Sequence, residues 1–195
     1  MLEIRKEHPW ILWPDSICNT FPENPVNRLL DGNHEYTVEL DLELKEIGED
    51  RRTLFCILPE FLSIDIEGDN SIFSYTTNSK TKYITFPSSL FIPESRTKIS
   101  LKYVPENFIK LFINNIMVLD ISISGQKISY DPSPHLIFGA GNFPKNDFNL
   151  NYSEYDLYEF KILDKTTLVC HHTFDKFIHD KSFDLTDNCN FIHKL

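Results

Sequence analysis

The sequence has no long apolar run. No stretch is long enough to span a bilayer. The N-terminal MLEIRKEHPWILWPDS lacks an apolar core of signal-peptide length, because Glu3, Glu7 and His8 interrupt it. Basic residues are in deficit: 19 Lys and Arg face 29 Asp and Glu, a formal net charge of -10. That balance argues against nucleic acid and against anionic membrane surfaces, and it fits neutral or cationic partners. Only four cysteines occur, Cys18, Cys56, Cys170 and Cys189, and none shows C-x-x-C spacing, so a structural zinc site is not expected. Cys56 lies in an apolar run and reads as a buried thiol. Without an export signal the cysteines are expected to be free, with pairing among Cys18, Cys170 and Cys189 as the alternative. Glycine (6) and methionine (2) are scarce, whereas Phe (16) and Tyr (8) are plentiful. Aromatic rings suit a pleated, half-buried surface, so sheets are expected rather than helices. No segment of any length carries a helical period.

What is there is period two. In YTVELDLEL, Tyr36, Val38, Leu40, Leu42 and Leu44 fall on one face, and Thr37, Glu39, Asp41 and Glu43 on the other. That alternation predicts a strand with one buried side. TLFCILP (53–59) is an apolar run of strand length. FLSIDIEGDNSIFSYTT (61–77) reads as a hairpin turned by Gly68-Asp69-Asn70, and YITF (83–86) as a short strand. KISLKYV (98–104) leads through Pro105-Glu106-Asn107 into IKLFINNIMVLDISI (109–123). There Asn114-Asn115 supplies a tight turn, since Asn tolerates left-handed backbone angles. HLIFGAG (135–141), DLYEFKIL (156–163) and LVCHHTFD (168–175) complete a set of ten to twelve short strands. Residues 1–33, with Pro9, Pro14, Pro22 and Pro25, read as an irregular lead-in holding one short strand at most. The whole predicts an all-β, two-sheet antiparallel sandwich in a single domain.

Several phrases resemble the laminin-G-like, concanavalin A-type jelly rolls. HEYTVELDLEL is similar to that superfamily's early strand, often F-T-V-E-F-W-V. KISLKYVPENFIKLFINNIMVLD is similar to its K-L-Y-V-N-G hairpin, with Asn114-Asn115 where Asn-Gly is usual. HLIFGAGNF resembles the following L-x-I-G-A strand, and YDLYEFKILDKTTL the closing I-Y-D-V-R-I-Y-N-x-x-L. The likeness covers roughly residues 34–170. One phrase is out of order: LVCHHTFD…SFDLTDNCNFIHKL (168–195) resembles L-V-x-H-W-x-F-D…D-L-S-G-N-G-N, which normally opens such a module. The resemblance implies a concanavalin A-like jelly roll with a main sandwich over 34–167, completed by 168–195. It also implies a carbohydrate or glycoprotein partner and an extracellular or virion-associated setting, while the charge balance and the lack of a long apolar run argue against nucleic acid and membrane insertion.

Three sets of residues are candidates for chemistry. The first is Glu39-Leu40-Asp41-Leu42-Glu43. Retaining β-glucanases of the laminarinase and lichenase type share the jelly roll, and their catalytic strand reads Glu, aliphatic, Asp, aliphatic, Glu. Carried over, Glu39 is the nucleophile, Asp41 its helper and Glu43 the acid/base. Side chains at i, i+2 and i+4 share a face, as such chemistry requires. Against it, the motif comes too early in the chain, Trp10 and Trp13 are the only tryptophans, and non-catalytic members often carry Glu on this strand. The plainer reading is a solvated strand face.

The second set is the segment 142–156. It is long for a connection between strands, and long loops on rigid sandwiches carry binding. Asn142, Asn146, Asp147 and Asn149 can hydrogen-bond sugar hydroxyls. Phe143, Phe148 and Tyr152 can stack on a sugar's apolar face. The third set is the oxygen-rich turns at Asp31-Gly32-Asn33 and Glu67-Gly68-Asp69-Asn70. Hard oxygens also bind calcium, and the resemblance offers Asp147, Asn149 and Asn151 as its ligands, although no stretch has the spacing of a dedicated calcium loop. Adjacent His171 and His172 face opposite ways on a strand and cannot chelate one ion together. His179 and His193 read as isolated surface residues. The leading expectation is a non-catalytic, lectin-like module. A structural or adhesion module that binds protein is the alternative, and the glucanase ranks last.

Overall fold

The computed structural model describes residues 1–5, 10–14, 26, 29–30, 32–58, 62–128, 135–139, 153–174, 181–183, 186 and 190–194. Among them fifteen strands run in order: β1 (Leu2–Ile4), β2 (Trp10–Pro14), β3 (Tyr36–Leu44), β4 (Arg52–Leu58), β5 (Leu62–Glu67), β6 (Asn70–Thr77), β7 (Lys80–Pro87), β8 (Arg96–Val104), β9 (Phe108–Ile113), β10 (Ile116–Ser122), β11 (His135–Phe138), β12 (Tyr155–Asp164), β13 (Thr167–His172), β14 (Lys181–Phe183) and β15 (Asn190–Lys194). One sheet runs β1-β12-β3-β8-β9-β10, with β13 also on β12. The other runs β14-β15-β2-β11-β4-β5-β6-β7. Every pairing is antiparallel, and the two sheets form a sandwich.

The alternation of β3 dictates its place. Tyr36, Val38, Leu40, Leu42 and Leu44 are all buried, and β3 lies between β8 and β12 in the first sheet. Its inward side chains meet those of the second sheet in one core. Burying each Leu or Phe there contributes about 1.5–3 kcal/mol. Phe160 of β12 meets Phe138 of β11 edge-on at 5.1 Å. The buried Tyr155 hydroxyl donates to the Leu54 carbonyl at 2.6 Å, so it spans the layers with its polar end satisfied.

The hairpins follow their turn residues. Asn114 and Asn115 both adopt left-handed angles, φ 50° and 65°, and join β9 to β10 as the Asn-Asn pair implies. Gly68, at φ 55°, and Asp69 alone close the β5–β6 hairpin, because Glu67 already pairs with Asn70.

Three expectations are corrected. The lead-in is more ordered than its prolines suggest. Leu2–Ile4 pairs with β12, Trp10–Pro14 lies between β15 and β11, and Val26 and Leu29 sit buried in a helical turn. The YITF strand extends over Lys80–Pro87. The 156–163 segment, expected as a plain short strand, carries a bulge where Tyr158 is the extra residue, so that both Tyr158 and Glu159 lie outside while Leu157 and Phe160 lie inside.

Strands β1 and β13 share one lane. β1 pairs with Tyr155–Leu157 and β13 with Phe160–Asp164, so the two lie in succession along β12. The Met1 ammonium donates to the Phe174 carbonyl where they meet.

Candidate functional site

The outward face of β3 is a lattice of ion pairs. Asp41 is only 6% exposed, so this face is not simply wet. The Arg96 guanidinium, at the start of β8, closes on Asp41 in a two-pronged contact, with Nε donating to Oδ1 at 3.0 Å. Such a fork fits a carboxylate better than any single ammonium does. Arg96 also lies over the Tyr158 ring, 4.3 Å from its centroid, and the β12 bulge brings Tyr158 there. Glu43 accepts from Lys45 Nζ at 3.1 Å and from the Tyr158 hydroxyl at 3.0 Å. Lys45 also pairs with Asp156, to which Arg5 donates at 3.0 Å. Further along, Glu159 pairs with Lys161 at 2.8 Å and with His171 at 2.8 Å. Glu39 stands in register with Ser100 and Lys161.

These contacts decide what the carboxylates can do. The Lys45 ammonium, then the Tyr158 hydroxyl, hold Glu43 below the ordinary carboxylate range. The same bonds raise Lys45, chiefly through Asp156, and raise Tyr158 through Glu43. An acid/base on a glycosidic oxygen needs the opposite shift, upward toward neutrality. Asp41, the carried-over helper, has its oxygens occupied by Arg96. Among the described residues these contacts form a lattice in which Glu43 accepts two hydrogen bonds that favour its charged form.

A second feature is the end of the sandwich where β3 finishes and β4 and β12 begin. Gly139 and Ser153, the described residues on either side of 140–152, lie there, and the last two residues of the candidate segment, Tyr155 and Asp156, already belong to β12. Gly139 donates to the Leu54 carbonyl at 2.9 Å, Ser153 to the Gly139 carbonyl at 3.0 Å, and Lys45 to the Glu154 carbonyl at 3.3 Å. The chain thus leaves the sheets at Gly139 and rejoins them at Ser153 through adjoining positions. Gly139 is at φ 76°, and a Cβ there would lie 2.0 Å from Ile4 Cγ2, so only glycine fits this root. Asn142, Phe143, Asn146, Asp147, Phe148, Asn149, Asn151 and Tyr152 lie outside the described residues. At the same end three connections are tied together. Gly68 donates to the Gly48 carbonyl at 3.0 Å, Ser88 to the Asp69 carbonyl at 3.0 Å, and Glu94 to the Leu44 carbonyl at 2.8 Å.

No family model matches this chain, and no curated protein does. Solved structures do. The receptor-binding domain of the botulinum neurotoxin C/D mosaic serotype aligns with a TM-score of 0.53 at 15% identity, over 72% of this chain and 35% of that one. The botulinum neurotoxin serotype D ligand-binding domain, solved with N-acetylneuraminic acid, aligns at 0.50 and 15% identity, over 67% and 33%. Botulinum neurotoxin type C, which interacts with two ganglioside molecules, aligns at 0.51 and 12% identity, over 71% and 34%. The chain spans about a third of the length of these neighbours. At such identities the likeness establishes the β-sandwich fold alone.

The remaining candidates resolve one by one. His171 faces out onto Glu159, whereas His172 is buried and stacks on Phe174 with ring centroids 5.8 Å apart. Cys56 and Cys170 are buried; Cys18, Cys189, Asp31 and His179 lie outside the described residues, as does the His193 side chain. Among the described residues no group of three or more His, Cys, Asp or Glu is placed to hold a metal ion, and the calcium ligands offered by the resemblance lie outside them. Sequence reasoning overlooked Asp65, which is 1% exposed on the outward side of β5. Arg51 Nε at 3.0 Å, the Thr53 hydroxyl at 2.6 Å and the Ser63 hydroxyl at 3.2 Å all donate to it. Its place in the alternating LSIDIE was the available signal, but not its burial.

Proposed function

We propose that this chain is a non-catalytic, lectin-like module that binds carbohydrate, free or on a glycoprotein, at the Gly139–Ser153 end of a concanavalin A-like, laminin-G-like jelly roll. The single observation that carries the reading is the rooting of the 142–156 segment. An Asn- and aromatic-rich stretch is pinned at both ends to rigid strands, next to three other connections. Neutral amides accept and donate to sugar hydroxyls, and Phe143, Phe148 and Tyr152 offer the apolar faces that sugars stack on. Neighbours of the same fold that take N-acetylneuraminic acid and gangliosides lend the reading support at the level of the fold. The domain comprises all 195 residues, with 168–195 completing the sandwich.

A broad glycan array, run with calcium and with chelator, tests this. Binding to a defined glycan, weakened at least tenfold in Phe143→Ala or Tyr152→Ala, is the expected result. A blank array from folded protein contradicts it. The chelator arm asks whether Asp147, Asn149 and Asn151 hold calcium.

A second reading, an adhesion module, is favoured by the edge strand β10. It exposes Ile116 (61%) and Met117 (50%), apolar surface that suits a protein partner. A blank array together with a stable oligomer in sedimentation would establish it. Hydrolysis of laminarin or lichenan, abolished by Glu39→Gln, would instead establish the glucanase, against which the pairing of Asp41 and the lowered pKa of Glu43 weigh.

A further inference from the structure

The connections tied together at the Gly139 end frame an open recess of about 580 Å³. Its walls come from the β3–β4 connection, the β5–β6 turn and the β7–β8 connection. Ile47, Ile92 and Pro93 give it an apolar side, with Ile92 60% exposed. Glu49, Asp69 and Ser89 give it a polar side. The lining includes no Lys, Arg or His.

The recess is held by backbone. The buried Ser88 hydroxyl donates to the Gly68 carbonyl at 2.6 Å, which ties the β5–β6 turn to the β7–β8 connection. Gly68 is at φ 55°, and a Cβ there would lie 3.2 Å from Glu49 Oε2, so glycine lets the Glu49 carboxylate lie against the turn. An apolar patch beside convergent acceptors matches a sugar residue, which has an apolar ring face and a rim of hydroxyl donors. The Arg52 guanidinium lies against Gly48 beside the recess but is paired with Glu46 at 2.7 Å, so the two lining carboxylates leave a net negative charge that repels an anion, and the chain's net charge of -10 adds to that repulsion.

We infer that this recess seats a neutral saccharide residue whose hydroxyls donate to Glu49 and Asp69, and that the same two carboxylates turn away sialylated and other acidic glycans. The inference rests on the carbohydrate-binding reading and adds to it a place and a selectivity. The serotype D domain, by contrast, was solved with an acidic sugar, N-acetylneuraminic acid.

The test is an array that presents each oligosaccharide with and without a terminal sialic acid, probed with the full chain and with two variants. Both acids are exposed, so neither substitution endangers folding, and thermal melts confirm this. The parent is expected to prefer the neutral member of a pair at least tenfold. Glu49→Gln with Asp69→Asn, which removes charge and keeps shape, is expected to reduce that preference severalfold. Glu49→Ala, which removes a charged acceptor, is expected to weaken neutral binding roughly tenfold. Sialylated members bound as well as neutral ones, or an unchanged profile in the double variant, would overturn the inference and leave carbohydrate binding standing. No binding to any glycan by folded parent protein would overturn both.

Discussion

At Glu43 two donors meet one carboxylate, and the consequence is a pH dependence. Its folded pKa lies below the unfolded value of about 4.3. A depressed acid contributes stability that is present above the unfolded pKa and is lost as pH falls through the folded one. Glu159 acts in the same direction: burial opposes its charge, but the bonds from Lys161 and His171 outweigh burial and lower it. Glu43→Gln is therefore expected to leave a shallower loss of stability below about pH 4.3 than the parent shows. Urea unfolding at a series of pH values between neutrality and pH 3 checks this; parallel curves for parent and variant would contradict it. The face of β3 was legible in the sequence, since alternation alone separates Leu40 and Leu42 from Asp41 and Glu43. Its chemistry was not. Arg96 lies 55 residues from Asp41, and Tyr158 lies 115 residues from Glu43 and reaches it through a bulge. Period-two reasoning predicts which way a side chain points, not which distant cation it meets.

Among the elements, hairpins were the most readable because turn chemistry is local. Asn114-Asn115 occupies two left-handed positions, the second of which glycine fills without strain. Asn115→Gly is expected to stabilise the fold by about 0.5 kcal/mol and raise the melting midpoint by about 1–2 °C. A lowered midpoint in calorimetry would show that the Asn115 side chain matters more than its backbone. Gly139 is the reverse case. It looks like an ordinary strand end in HLIFGAG, yet its Cα faces Ile4 from the opposite end of the sequence. Gly139→Ala is expected to cost about 2 kcal/mol or more, from backbone strain together with displacement of the buried Ile4, as measured by denaturant midpoint. Unchanged stability would mean that β1 is not seated beside this root. The lead-in strands were missed for a related reason. Four prolines in the first 25 residues suppress the strand signal, and the pairings of β1 and β2 are long-range. The edges at β7 and β10 are protected differently. β7 carries Lys80, Lys82 and Pro87, whereas β10 carries a bulge at Val118 and leaves Ile116 and Met117 exposed.

For the whole molecule, β1 and β13 share the lane along β12, and β15 lies between β14 and β2 in the second sheet. Removing residues 168–195 would strip most of β13 from β12 and leave β2 as an unpaired edge. The truncated chain is expected to aggregate or to lose cooperative melting; a soluble, cooperatively melting remainder would contradict the proposal that this segment completes the sandwich. The sandwich was legible because strand period and turn residues are written locally. The recess was not, since Glu49, Asp69 and Ile92 belong to three separate connections and meet only after the sheets assemble. The central proposal is that sugar lands on the connections at the Gly139 end. Titration of isotopically labelled protein with a glycan selected on the array, followed by backbone amide NMR, tests it most directly. Shifts concentrated in residues 45–51, 68–69, 88–93 and 139–154 are expected. Shifts confined to the Glu39, Asp41 and Glu43 face, or none at saturating glycan, would contradict it.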